Sequence, residues 1–137
     1  MIVADTHLVA QLILKLDQTE TAQAVYRSDP EWVMPELWRH EFLNVLANYL
    51  RFDRAPPDRL ALAWQNANTL FADSARQPDW LLALKLAGEH NTSAYDAQYL
   101  ALAQTLSLPL VTEDRKLRQA APGLSLSMHD FLERTPP

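Results

Sequence analysis

The sequence predicts an α/β domain of three layers, in which helices cover both faces of a central, mostly parallel sheet of four to five short strands. Short apolar runs with β character alternate along the chain with longer segments of helical periodicity. Strands separated by helices are joined by right-handed crossovers, which produce a parallel sheet. A length of 137 residues with 48% hydrophobic content suits a single domain that spans residues 1–137.

The first predicted strand runs from Ile2 to Thr6, and we expect the rest of the chain to be organised around it. The reason is that this apolar run ends with an acidic residue, Asp5. Helices are predicted from His7 to Leu16 and from Thr19 to Ser28, where apolar residues recur at helical spacing. Trp32 to Met34, between two prolines, is predicted as a second short strand.

The middle of the chain is predicted to be entirely helical. A helix from about Pro35 to Phe52 carries a wide apolar stripe and is followed by a break at Asp53 to Pro57. Asp58 to Ala75 repeats the pattern and forms a protruding helical hairpin with its predecessor, and Trp80 to His90 is a further helix. The tryptophans of this region are expected in the core: Trp38, Trp64 and Trp80.

The last third of the chain alternates again between helix and strand. Ser93 to Leu106 is predicted as a helix whose apolar set includes Tyr95 and Tyr99, and Leu108 to Thr112 as the third strand. The remaining predicted elements are a helix from Arg115 to Ala121, a turn at Pro122 and Gly123, a weak strand from Leu124 to Met128 and a helical turn at Phe131 and Leu132.

Composition excludes several kinds of site. Without cysteine there are no disulfides, thiolate zinc sites or cysteine nucleophiles, so any metal must bind through oxygen or imidazole. Gly88 and Gly123 are too few for a dinucleotide fingerprint or a P-loop. A net charge of -5 argues against a basic surface that holds nucleic acid by bulk electrostatics. No signal-peptide pattern or bilayer-spanning apolar run is visible, which predicts a cytoplasmic protein.

Four acidic residues are the candidates for chemistry. In parallel sheets, ligands bind at the carboxyl ends of the strands, and Asp5 and Asp114 end the first and third predicted strands. Glu41 is expected about two turns into the helix after the second strand. Asp96 is expected in the first turn of its helix, beside the core-facing stripe.

Helix capping is the alternative explanation for three of these acids. Asp5 and Asp114 precede predicted helices, and Ser93 with Asp96 fits a capping box. Glu41 is too deep in its predicted helix to cap it and lies near the apolar stripe, so it needs a partner.

Carboxylates that are brought together repel and raise one another's pKa unless a cation compensates their charge. Hard divalent ions such as Mg²⁺ and Mn²⁺ prefer oxygen ligands. An ion held in this way keeps water ligands, lowers the pKa of one of them and stabilises a leaving oxyanion, which favours phosphodiester hydrolysis.

Four segments resemble, in their order along the chain, the motifs of the PIN-domain family: Ile2 to Thr6, Pro35 to Leu46, Ser93 to Ala97 and Leu110 to Asp114. The resemblance runs nearly end to end and is greatest to the VapC-type toxin ribonucleases of bacterial toxin–antitoxin pairs. It implies a PIN-like fold and an endoribonuclease in which metal-activated water cuts RNA. It also implies which acids bind Mg²⁺ or Mn²⁺: Asp5, Glu41, Asp96 and Asp114.

The same resemblance implies supporting residues and partners. Thr6 and Thr112 match hydroxyl positions that accompany the acids, and Asn44 matches a polar neighbour one turn after the glutamate. His7 departs from the small residue often found there and would either narrow the pocket mouth or act as a ligand or base, although a surface position is the simpler explanation. A homodimer and a small antitoxin protein are the implied partners, and the apolar stripe of the hairpin is the candidate contact surface.

Basic residues beside the acids are candidates for substrate binding. Arg115, Lys116 and Arg118 follow Asp114 at the start of a helix, where the macrodipole disfavours cations, so their placement indicates phosphate contacts. The alternative is that these side chains simply reach solvent.

Two other classes of function stay open at this point. A non-catalytic binding or dimerisation module would keep the fold and use the acids only as helix caps. A phosphoacceptor receiver-like domain also clusters acids at parallel strand ends but needs a lysine after a late strand. Asp114 followed by Arg115 and Lys116 fits that requirement poorly.

Overall fold

The structure, a computed structural model, describes residues 1–134 and contains a sheet of five strands in the order β3-β2-β1-β4-β5. All of the strand pairings in this sheet are parallel. The strands are β1 Ile2–Ala4, β2 Trp32–Pro35, β3 Ala75–Arg76, β4 Leu110–Val111 and β5 Ser125–Leu126.

Helices connect the strands and cover the sheet, which confirms the predicted three-layer α/β/α fold. They are α1 Thr6–Leu14, α2 Thr19–Ser28, α3 Trp38–Phe52, α4 Pro57–Leu70, α5 Trp80–His90, α6 Ala94–Leu106, α7 Arg115–Ala120 and α8 Met128–Arg134. Helices α3 and α4 pack against each other as the expected hairpin. Within residues 1–134, no helix combines the length and apolarity needed to cross a membrane.

Strand β1 is the central strand of the sheet, in agreement with the expectation that the rest of the chain is organised around it. It pairs with β2 through Ile2 and Val3 and with β4 through Val3 and Ala4. A strand paired on both edges and covered on both faces has no polar side, and all three of its residues are fully buried. The next residue, Asp5, therefore emerges at the middle of the carboxyl edge of the sheet.

Aromatic rings hold the helical hairpin against the sheet. Trp32 of β2 stacks on Phe71, with ring centroids 5.4 Å apart, and Trp38 meets Phe71 edge-on at 6.1 Å. Within the hairpin, Phe42 of α3 stacks on Trp64 of α4 at 6.3 Å. Aromatic pairs in these arrangements stabilise packing beyond the area they bury. The contacts place the first turns of α3 beside the end of β2.

Two expectations for the middle of the chain were wrong. The region is not all helix, because α4 ends at Leu70 and Ala75–Arg76 adds strand β3 beside β2. Ala75 and Arg76 are neither β-branched nor aromatic, so nothing in the sequence separates them from the helical pattern that precedes them. Trp80 is not a core residue, since 57% of it is exposed, whereas Trp38 is buried and Trp64 is half-buried.

Candidate active site

The ends of β1 and β4 place two of the four acids at the same edge of the sheet. Asp5 follows β1 directly and is half-buried, and Asp114 lies just beyond β4, exposed, at the start of α7. These strands are neighbours in the sheet, so the two acids approach each other although they are far apart in sequence.

A buried hydroxyl group connects these two acids. The side chain of Thr112 donates a hydrogen bond from Oγ1 to Oδ2 of Asp5 over 2.6 Å. The same oxygen accepts the backbone N–H of Asp114 over 3.1 Å. Thr112 is fully buried, so its hydroxyl has to be satisfied within the protein. Thr112 thereby orients the Asp5 carboxylate and the backbone that carries Asp114.

Glu41 is oriented by two other hydroxyl groups. Its Oε1 accepts a hydrogen bond from the Tyr99 hydroxyl over 2.6 Å and another from Thr6 Oγ1 over 3.0 Å. The hydroxyl oxygens of Thr6 and Tyr99 are themselves 2.6 Å apart. Both bonds end on the same carboxylate oxygen, so they fix the position of Oε1.

The predicted position of Glu41 along its helix was wrong. Pro35 pairs with Arg76 as the last residue of β2, and α3 begins only at Trp38. Glu41 therefore lies in the first turn of α3 rather than two turns in. The expectation that it needs a partner is confirmed, since its carboxylate is bonded to α1 and α6.

Tyr99 is the residue of this site that sequence reasoning missed, because it was counted only among the apolar residues of its helix. It is 2% exposed, and burial raises the pKa of its phenol well above 10, helped by the charges of Glu41 and Asp5. The phenol therefore stays protonated and remains a donor. A usable signal was its place three residues after Asp96, on the same side of a helix, because a buried tyrosine hydroxyl needs a partner.

The capping interpretation is correct in part. Oδ1 of Asp114 accepts the N–H of Leu117 over 3.1 Å and caps α7. At the start of α6 the acceptor is Ser93, whose hydroxyl oxygen binds the N–H of Asp96 over 3.1 Å. Asp5 occupies the N-cap position of α1 without a side-chain cap hydrogen bond. Capping therefore explains one oxygen of Asp114 and not the Asp96 carboxylate, whereas the backbone N–H groups of Thr6 and His7 at the start of α1 lower the pKa of the Asp5 carboxyl.

The acids influence one another electrostatically. Burial raises the pKa of Asp5, although the hydrogen bond from Thr112 acts in the opposite direction. Burial also raises the pKa of Glu41 and of Asp96, and the charge of Asp5 raises both further. Asp114 adds to the shift at Asp96. Ionising all of these groups together is therefore unfavourable without a compensating cation.

The donor set suits a hard divalent ion in its chemistry. In the side-chain positions of residues 1–134, no three His, Asp or Glu groups converge closely enough to hold one ion. The acids are nevertheless oxygen donors gathered at one sheet edge. Burial raises the pKa of Asp5, Glu41 and Asp96, and repulsion from neighbouring carboxylates raises the pKa of Glu41 and Asp96 further. A cation among them would relieve that repulsion, and carboxylate oxygens are the ligands that Mg²⁺ and Mn²⁺ prefer.

Two clefts meet at Asp96. One, of about 990 Å³, is lined by Glu41 and Asp96, and the candidate polar residue Asn44 is exposed on its wall. The other, of about 390 Å³, is lined by Asp96, Asp114 and Lys116. Asp96 therefore lies where a ligand in either cleft would approach the acids.

The remaining candidate residues differ in whether they share a cleft with the acids. Of the predicted basic group, Lys116 shares a cleft with two acids, whereas Arg115 and Arg118 line a separate depression. Arg118 also pairs with Glu113, with nitrogen and oxygen 3.6 Å apart. His7 is exposed, and its Nε2 lies 3.2 Å from Oε1 of Gln18.

The fold and site together define an α/β domain with an acidic centre at the carboxyl edge of a parallel sheet. Residues 2–122 match the family model described as the PIN domain. The chain therefore belongs to the PIN-domain family, which confirms the family resemblance of its sequence motifs. PIN domains are generally nucleases and usually use divalent metal ions.

Comparison of structures supports the fold. The chain superposes on a solved structure titled "Crystal structure of PAE2754 from Pyrobaculum aerophilum" with a TM-score of 0.70 and 23% sequence identity. The match covers 98% of each chain. At this identity the likeness supports the fold and not a specific activity. A search of curated proteins found no significant match.

We predict that replacing Asp5 with asparagine changes how stability depends on pH. Because the pKa of Asp5 is raised above 3.8 in the folded protein, its stabilising contribution is present below that ordinary value and is lost as pH rises through the folded-state pKa. Asparagine does not ionise. Without divalent ions, the thermal midpoint of Asp5→Asn minus that of the wild type should therefore increase as pH rises from about 4 towards neutrality.

Thermal unfolding followed by circular dichroism in EDTA measures this difference. Asp130→Asn is the matched control, because Asp130 is exposed on α8 and should show no such trend. A difference between Asp5→Asn and wild type that stays constant across this pH range would contradict the electrostatic description of the site.

Proposed function

We propose that this protein is an endoribonuclease that uses Mg²⁺ or Mn²⁺ to hydrolyse RNA phosphodiester bonds, and that it is the toxin of a toxin–antitoxin pair. The observation that carries the proposal is the gathering of Asp5, Glu41, Asp96 and Asp114 at one sheet edge, where burial raises the pKa of three of them. Membership of a family that consists generally of nucleases supports the reaction. RNA is proposed as the substrate because the motifs resemble those of toxin ribonucleases.

The four acids would hold the ion through carboxylate oxygen atoms. When bound, a divalent ion supplies a water of lowered pKa and compensates the charge of the phosphate. The protein's own hydroxyl groups keep the ligands in position: Thr112 orients Asp5, and Thr6 and Tyr99 orient Glu41. Of the predicted basic group, Lys116 shares the smaller cleft with Asp96 and Asp114 and would contact a phosphate there.

Exposed apolar side chains support the proposed protein partners, a second copy of the chain and a small antitoxin. Helix α5 exposes Leu81 to 79% and Leu84 to 68%, and the hairpin exposes Leu62 to 56%. Apolar side chains grouped on a surface are typical of protein contact sites. Cleavage of RNA would take place in the cytoplasm, which is the compartment we propose.

A catalytically inactive PIN-fold binding module is the second candidate. The observation in its favour is that, among the described residues 1–134, no three potential ligands converge on one point. Calorimetric titration with Mn²⁺ separates the two candidates, since a module whose acids only cap helices would show no binding and no loss of stability on chelation.

The direct test is cleavage of RNA by the purified protein with Mg²⁺ or Mn²⁺. We expect Asp5→Asn and Asp96→Asn each to reduce cleavage by at least about a hundredfold, because even residues that only support metal ligands contribute about ten- to hundredfold. Asp130→Asn, which changes an exposed acid on α8, should cleave like the wild type. Retained cleavage in either site variant would contradict the assignment.

A second prediction concerns Tyr99 as a positioning residue. Tyr99→Phe keeps the buried ring and removes only the hydroxyl that donates to Glu41. We expect cleavage to fall by about ten- to hundredfold and the apparent Mn²⁺ affinity to weaken, because the carboxylate loses one of its two orienting bonds. Calorimetry and cleavage assays measure the two effects, and Tyr49→Phe, in a half-buried tyrosine of α3, is the control. Unchanged Mn²⁺ affinity and cleavage in Tyr99→Phe would contradict this role.

A further inference from the structure

The larger cleft beside the acids has an unusual lining for a site that handles phosphates. Its lining includes Glu41 and Asp96 together with a third acid, Glu36. The basic side chains of the lining are Arg76 and His40. Apart from the two acids that would hold the ion, most of this lining is uncharged, so the cleft offers few partners for a phosphate chain and favours neutral groups of a ligand.

Two aromatic side chains of the cleft are exposed. Trp80, at the first position of α5, is 57% exposed, and Tyr95, in the first turn of α6, is 65% exposed. Both had been expected in the core or in an apolar helix stripe, so their exposure is a finding of the structure. Exposed aromatic rings in a cleft are surfaces on which unpaired nucleobases stack.

Amide side chains complete the lining. Asn44, Gln77 and Gln98 line the same cleft as the two rings. Each amide carries both hydrogen-bond donors and an acceptor and is uncharged. Such groups match the edges of nucleobases, which present donors and acceptors without charge. The rings and amides together have the chemistry of base recognition rather than of phosphate binding.

We propose that this cleft is a nucleobase-binding subsite, in which an unpaired base next to the cleaved phosphate stacks on Trp80 or Tyr95 and its edge contacts the amide side chains. The subsite would determine which RNA sequences are cleaved. The proposal rests on the proposed function in taking RNA as the substrate.

The position of Asp96 connects this subsite to the acids. Ser93 and Asp96 line both the larger cleft and the smaller one that contains Lys116. An RNA strand that crosses Asp96 therefore places bases on the Trp80 side and a phosphate on the Lys116 side. A base-paired strand does not fit this arrangement, because its bases are already stacked and their edges are engaged.

Binding is tested apart from cleavage by using Asp5→Asn as the parent protein, because Asp5 does not line the cleft. The probes are a fluorescein-labelled RNA of ten nucleotides with random sequence and a fully paired RNA duplex, and fluorescence anisotropy is the measurement. Added to the parent, Trp80→Leu and Tyr95→Leu should each weaken binding of the single strand roughly tenfold. Tyr95→Phe, which keeps a ring, and Gln104→Ala, which changes an exposed residue of α6 outside the lining, should bind like the parent.

In the otherwise wild-type protein, Gln98→Ala should change the sequence preference of cleavage in a randomised RNA pool, whereas Gln104→Ala, on the same helix but outside the lining, should not. Parent-like binding by both Trp80→Leu and Tyr95→Leu would overturn the subsite even if the protein cleaves RNA. Ring-dependent binding by a protein that does not cleave RNA would support the subsite and contradict the proposed function. If sedimentation shows that Trp80→Leu separates an oligomer while RNA binding is unchanged, Trp80 is a contact between copies and its role here is overturned.

Discussion

Repulsion between carboxylates at the edge of a parallel sheet is the constraint on which the rest of this structure depends. Burial makes ionisation of Asp5, Glu41 and Asp96 unfavourable, and the charge of Asp5 adds to this effect at Glu41 and Asp96. Buried hydroxyl groups oppose this effect, because Thr112 and Tyr99 donate short hydrogen bonds to the two most enclosed acids. The hydroxyl groups orient the carboxylates, and the repulsion that they leave is what a divalent cation would remove.

The fold serves this arrangement through the position of β1. As the central strand it has β2 on one side and β4 on the other, so the elements that follow these strands surround Asp5. Helix α3 supplies Glu41 after β2, and the end of β4 supplies Thr112 and Asp114. Helix α6 packs on the same strands and supplies Asp96 together with Tyr99. One short apolar strand thus brings together residues that are distant in the sequence.

The features that could be predicted from the sequence depend on local pattern. Asp5 and Asp114 were located because an apolar run followed by an acid marks a strand end, and order along the chain then placed both at one edge. The partner of Glu41 could not be named, because the contact with Tyr99 joins two helices whose packing no local pattern specifies. Strand β3 was missed because Ala75 and Arg76 are neither β-branched nor aromatic and adjoin a segment of helical periodicity. Trp80 was missed because helical spacing alone does not distinguish a core-facing ring from one that faces a cleft.

The central claim is that the four acids together bind a divalent cation, and paramagnetic broadening by Mn²⁺ in amide NMR spectra tests it most directly. At substoichiometric Mn²⁺, the predicted result is selective loss of the amide signals around Asp5, Glu41, Asp96 and Asp114, with no such loss in Asp5→Asn. Broadening spread over exposed acids such as Asp130, or the same pattern in wild type and Asp5→Asn, would contradict the claim.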